Sequence, residues 1–250
     1  MQIWLTVGAV AVLAVIGFVV VLLLGLEKPW LQPIAIARAV LQLAILTIIL
    51  NGVISSGVWV AVFLAVMVIA ATWVVVRRLR LRVVTGVLIA LVIAAAAAVP
   101  AVVVFVSGSV QFSPRYVLAV GGIIIGNAMT VSTLMGRSLA ASFGTNRDEI
   151  EGWLALGATP RQASRRVVRL AASTALIPST DQTRTTGIVT LPGAFVGAIF
   201  AGASVVAAAE FQVLVLASVL VAGALSVAFL SGVFGAPRVI PDGGRLVNSI

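Results

Sequence analysis

Apolar runs of about 20 residues recur along this chain, each long enough to cross roughly 30 Å of hydrocarbon as a helix. About seven can be delimited, near residues 3–24, 34–51, 57–76, 83–106, 117–136, 187–208 and 212–234. Inside hydrocarbon every backbone N–H and C=O must find a partner within the protein, which restricts such a chain to spanning helices or a closed barrel. Runs of this length and continuity select helices. Charged residues make up only 9% of the sequence, against about 25% in soluble domains, so no room is left for a separate soluble domain. The reading is an all-α, polytopic helical membrane bundle, with residues 1–250 as one domain. The first run opens MQIWLTVG without a basic n-region, so it is expected to be kept as a span.

The net charge of +9 has a positional explanation. With the N-terminus outside and seven spans, Lys28, Arg77, Arg78, Arg80, Arg82 and Arg137 fall on the cytoplasmic side. Arg147, Arg161, Arg165, Arg166, Arg169, Arg184, Arg238 and Arg245 join them, Arg38 lies just inside the cytoplasmic end of the second span, and only Arg115 is left outside. This is the positive-inside pattern of a multi-pass cell (inner) membrane protein with a cytoplasmic C-terminus. It accounts for the charge without nucleic acid. The absence of Cys and His removes thiolate ligation, the commonest metal ligand and the usual proton shuttle.

One polar stretch interrupts the spans, Thr145 to Gln182, within a cytoplasmic segment of about 140–185. Asn146 and Glu149 have capping-box spacing, and Asp148 and Glu149 suit a helix N-terminus. That helix should stop at Gly157, where a left-handed cap is tolerated. Thr159, Pro160 and Gln162 signal a second start, after which Arg161, Arg165 and Arg169 share a face. The plainer reading is a basic amphipathic helix lying on anionic headgroups. The functional one is a helix pair whose first helix and Gly turn dock into a partner.

Two spans carry polar or backbone-freeing residues. The fifth has Asn127, Thr130, Ser132 and Thr133, and the sixth has Pro192-Gly193, which should mark a kink facing protein or water. Gly122 with Gly126, and Gly193 with Gly197, have the spacing of close-packing helix faces. Such residues serve as helix–helix contacts or line a translocation path.

Several chemistries are excluded or disfavoured. The one lysine, Lys28, follows Glu27, so no Gly-Lys-Ser/Thr phosphate loop exists and any ATP must be hydrolysed elsewhere. Glu27, Glu210 and Asp242 are read at span edges or outside spans, and Asp148, Glu149, Glu151 and Asp181 as cytoplasmic or near the interface. With no acidic group at mid-membrane, a gradient-coupled carrier is disfavoured. Proteolytic motifs are absent, so the chain reads as a non-enzyme.

From Gly126 to Gln212 the chain resembles the FetB-like ABC-transporter permeases associated with metal export. The resemblance rests on Gly126-Asn127-Ala128-Met129, Leu156-Gly157-Ala158-Thr159-Pro160, Gln162-Ala163, Ala175-Leu176-Ile177-Pro178, Asp181, Gly187, Leu191-Pro192-Gly193, Gly197, Ala201-Gly202 and Gln212. It implies a homodimeric permease that exports iron or a related metal ion, with no cofactor of its own and ATP-Mg bound by a separate cytoplasmic ABC ATPase. It further implies that Glu151 to Pro160 is the coupling element, with Glu151, Leu154, Leu156, Gly157, Ala158, Thr159 and Pro160 facing that ATPase. The translocation path would then use Asn127, Thr130, Thr133, Pro192, Gly193 and Glu210. No metal site is defined, since only oxygen ligands such as Glu210, Asn127 and the hydroxyls of the fifth span are available. The alternatives are a docking or regulatory membrane protein and a passive ion channel.

Overall fold

The structure, a computed structural model, describes residues 3–54 and 56–236, so Arg238, Asp242 and Arg245 lie outside it. The described residues are helical apart from turns and one isolated bridge. The helices are α1 (Ile3–Leu23), α2 (Leu31–Val53), α3 (Gly57–Leu79), α4 (Val83–Val106) and α5 (Pro114–Thr145). They continue as α6 (Arg147–Ala155), α7 (Pro160–Ala163), α8 (Arg165–Thr185), α9 (Gly193–Phe200) and α10 (Val205–Phe234). Six of these, α1 to α5 and α10, are long and apolar enough to cross a membrane. The protein is a polytopic helical membrane bundle.

Residues up to Ser56 form one unit, a hairpin of α1 and α2. Its connection turns at Gly25, whose φ of +66° suits glycine. The Phe18 and Trp30 rings meet across it at 4.4 Å.

The second unit holds α3 to α10 around a core of Ile, Val, Leu and Ala. Residue Gly121 of α5 lies against Leu64 of α3, and Gly136 of α5 against Leu79, so α3 and α5 run parallel. Helices α5 and α10 are parallel too: Tyr116 meets Phe211 at 5.7 Å near their starts, and Asn127 bonds to Val219 farther along. The Arg77–Arg82 turn therefore lies at the same end of the bundle as Arg137 and the α6–α7 segment.

The expected sixth span at 187–208 is not a helix. Residues 186–192 form a turn, with a bridge between Thr186 and Thr190 and φ of +86° at Gly187. The eight-residue α9 follows, then a turn at Gly202, then the first residues of α10. Besides those six, α8 is a further long helix, about 31 Å, in the second unit. It buries Val167, Ala171, Ala175 and Ser179 at four-residue spacing and packs against both α5 and α10. Hydropathy explains the difference: residues 187–208 are apolar without forming one helix, whereas α8 is polar over much of its surface and reads as part of a cytoplasmic segment. Pro178 sits on the exposed side of α8 and the helix runs through it. Pro192 does mark an edge, as the residue capping α9.

Candidate functional site

The α6–α7 segment projects from the Arg-rich end of the bundle as a braced turn. Gly157 adopts φ of +86°. Its N–H donates to the Leu154 carbonyl (3.0 Å), and that of Ala158 donates to the Trp153 carbonyl (3.0 Å). These two bonds close the left-handed helix cap that the sequence signalled at Gly157. On the other side the Thr159 N–H donates to Gln162 Oε1 at 2.9 Å, and Pro160 opens α7.

The first capping box does not form. The Asn146 side chain donates to the Ser142 carbonyl instead (2.8 Å), and its oxygen accepts from Arg166 (3.2 Å). Glu149 also accepts from Arg166, through Nε at 2.7 Å and through a second guanidinium nitrogen. Those bonds hold the Glu149 carboxyl below its ordinary pKa. They also tie α6 to the start of α8. Ile150 and Ala163 seat the segment in the core, at 1% and 2% exposure, while Trp153, Leu154 and Leu156 stay exposed, Leu156 at 83%. Glu151, Ala155 and Thr159 are polar or small neighbours on the same projection.

Between α7 and α8, Ser164 is fully buried. Its hydroxyl reaches the carbonyls of Pro160 (2.8 Å) and Gly235, joining the segment to the end of α10. Arg161, Arg165 and Arg169 line a groove of about 240 Å³ between α8 and α10, with Ser231, Gly232 and Gly235 opposite. The basic helix therefore packs into the bundle along one face, where the sequence also allowed a helix lying flat on headgroups.

Midway along the bundle, Asn127 ties three helices together. Its amide donates to the Val219 carbonyl of α10 (2.9 Å), and its oxygen accepts from the Ser179 hydroxyl of α8 (3.0 Å). Gly223 of α10 admits this approach, because a Cβ there would lie 3.3 Å from Leu176 and 3.7 Å from the Asn127 amide. Thr133 is buried and bonds to the Met129 carbonyl at 2.9 Å. Thr130 is exposed and bonds to the Gly126 carbonyl at 3.0 Å. Glu210, near the start of α10, and Gly193, opening α9, are also exposed. Of the proposed path residues, only Asn127 is bonded across helices.

The glycine pairs behave unequally. A Cβ added at Gly122 would meet Met67 of α3 at 3.6 Å, but Gly126, Gly193 and Gly197 have open space beside them. On α5 and the middle of α10 the tight contacts are at Gly121, Gly136 and Gly223, which lack the four-residue spacing.

Sequence reasoning placed Asp181 near the cytoplasmic interface and Arg184 on the Arg-rich side. Both lie on α8 beyond Ser179, hence past the middle of the bundle and toward its other end. The reason is the continuity of α8 through Pro178. With it goes the argument that no acidic residue lies deep in the membrane. The available signal was the spacing of Ala171, Ala175 and Ser179 opposite Arg169, Ser173, Thr180 and Arg184.

Comparison with known proteins agrees with the resemblance seen in the sequence. Residues 3–238 match the family described as Uncharacterised protein family (UPF0014). The UPF0014 membrane protein STAR2 of Oryza sativa subsp. japonica is 38% identical over 196 residues, covering 77% of this chain and 68% of that protein. The Probable iron export permease protein FetB of Escherichia coli (strain K12) is 34% identical over 205 residues, 81% and 78% of the two chains. Protein ALUMINUM SENSITIVE 3 of Arabidopsis thaliana is 33% identical over 186 residues, 73% and 67%. No solved structure matches. The chain, similar to a probable iron export permease among others, belongs to the UPF0014 family of membrane proteins.

Proposed function

We propose that this protein is the membrane-spanning permease subunit of an ATP-driven transporter, exporting iron or a related metal cation as a homodimer. ATP-Mg is bound and hydrolysed by a separate cytoplasmic ABC ATPase. The observation that carries this reading is the projecting turn. Exposed Trp153, Leu154 and Leu156 surround a rigid Gly157 cap that is anchored to the core by Ile150 and Ala163. Exposed apolar groups on a braced, polar-flanked knob fit insertion into a partner's cleft. The coupling residues are Glu151, Leu154, Leu156, Gly157, Ala158, Thr159 and Pro160. Arginines at that end of the bundle support its placement in the cytoplasm. The name of the Escherichia coli relative supports iron and export, and that of the Arabidopsis thaliana relative points to metal handling more broadly. Thr130, Thr133, Pro192, Gly193 and Glu210 belong to the translocation path, and Asn127 holds its helices in register.

The test is ATP hydrolysis by a co-expressed ATPase, with and without this protein in proteoliposomes, across ferrous and other divalent metals. Metal-dependent stimulation that Gly157→Val abolishes, with membrane insertion intact, is the expected result, because a β-branched residue is strained at φ of +86°. An unstimulated ATPase, or normal coupling in Gly157→Val, would reject the reading in favour of a docking protein or a channel. A channel would move ions without nucleotide.

A further inference from the structure

Asp181 and Arg184 occupy a depth at which membrane chains rarely leave charge. The Asn127–Ser179–Val219 contact sets the scale, because Val219 lies midway along the 30-residue α10 and Asn127 lies in the apolar stretch of α5. Asp181 follows Ser179 by about 3 Å of helix rise and Arg184 by about 7.5 Å. Hydrocarbon extends about 15 Å on either side of the midplane, so both residues leave the backbone within it. Both are exposed, on the side of α8 away from its buried residues, and the face continues through Ser173 and Thr180. Among the described residues neither has an ion-pair partner.

A second observation points the same way. Immediately beyond Thr185 the chain leaves the helix, and the 186–192 turn begins about 10 Å from the midplane. Open backbone at that depth requires protein or water, and a carboxylate there is costly against lipid and almost always faces the bundle interior or a water-filled cavity.

We infer that the face of α8 carrying Ser173, Thr180, Asp181 and Arg184 opens on a water-filled path, and that Asp181 is the carboxylate that takes the transported cation midway across. The cargo assignment rests on the transport reading above; the water-facing assignment does not. Carboxylate and hydroxyl oxygens suit a divalent cation in a chain without Cys or His.

Because the protein has no cysteine, each introduced thiol is unique in the chain. Single substitutions Ser173→Cys, Thr180→Cys and Arg184→Cys are to be labelled in native membranes with a charged, water-borne methanethiosulfonate. Leu156→Cys serves as the exposed control, and Val66→Cys and Ile69→Cys on α3 as apolar controls. The α8 thiols should react about tenfold or more faster than those at 66 and 69, since only a hydrated thiol ionises to the reactive thiolate. Rates as slow as at 66 and 69, with Leu156→Cys reactive, would overturn the water-facing assignment. In proteoliposomes with the ATPase, Asp181→Asn should lose most cation movement while still binding the ATPase, and Asp181→Glu should retain part. Wild-type movement in Asp181→Asn would overturn the cargo role. A wild-type protein that moves no cation would remove the transport reading and the cargo role together, leaving the labelling to decide the α8 face alone.

Discussion

At the scale of single residues, Asn127 and Gly223 do the most to hold the middle of the bundle. The Asn127 amide satisfies one carbonyl and one hydroxyl on two different helices. Asn127→Leu removes both bonds and leaves the Ser179 hydroxyl without that partner, at a cost of about 1–3 kcal/mol. Ser179→Ala should cost less, because the bond to Val219 survives. Thermal unfolding in detergent would order the two, and the opposite order would show that Asn127 is not the centre of the contact. Gly223→Val should be worse than Gly126→Val. A side chain at 223 meets Leu176 and Asn127, whereas 126 has open space, and overpacking of this kind costs about 1–3 kcal/mol.

The helices themselves were largely legible in the sequence, and the exceptions share a cause. Helices α1 to α5 follow from apolar length, though α2, α3 and α5 extend beyond their apolar runs because helix continuation past the bilayer leaves no hydropathy signal. The Gly157 cap was legible because only a few residues tolerate a left-handed backbone. Helix α8 was not, since its average polarity resembles a surface helix. Its burial follows from a stripe of Ala171, Ala175 and Ser179, which matters only once α5 and α10 are placed beside it. The Asn146–Glu149 capping box failed for a similar reason: Arg166, distant in sequence, engages both side chains. That tether predicts a pH response. A carboxyl whose pKa falls on folding stabilises the folded state above its ordinary value of about 4.5 and ceases to as pH drops through the lower folded value. Proteolytic protection of residues 146–158 should therefore be flat from neutral pH to about 5 and fall on further acidification. Glu149→Gln should begin less protected and lack that acid step. A wild-type profile with no acid step would show that the tether is not what orders α6.

For the molecule as a whole, composition and charge placement were enough to read a multi-pass membrane protein, and the family match agrees. What they could not give was the role of the broken stretch between α8 and α10, where a full span was expected and a turn, a short helix and a second turn are found. Helix α8 also runs unbroken from Arg165 to Thr185, with the Gly157 turn just before one end and Asp181 near the other. About 24 Å of continuous helix separates Arg165 from Asp181. Mechanically it is a connecting rod, so a push at the Gly157 turn would arrive at Asp181 as displacement of a single stiff body, without a relay of side chains. Paired glycines at the exposed positions 170 and 173 would soften that rod while leaving both of its ends intact.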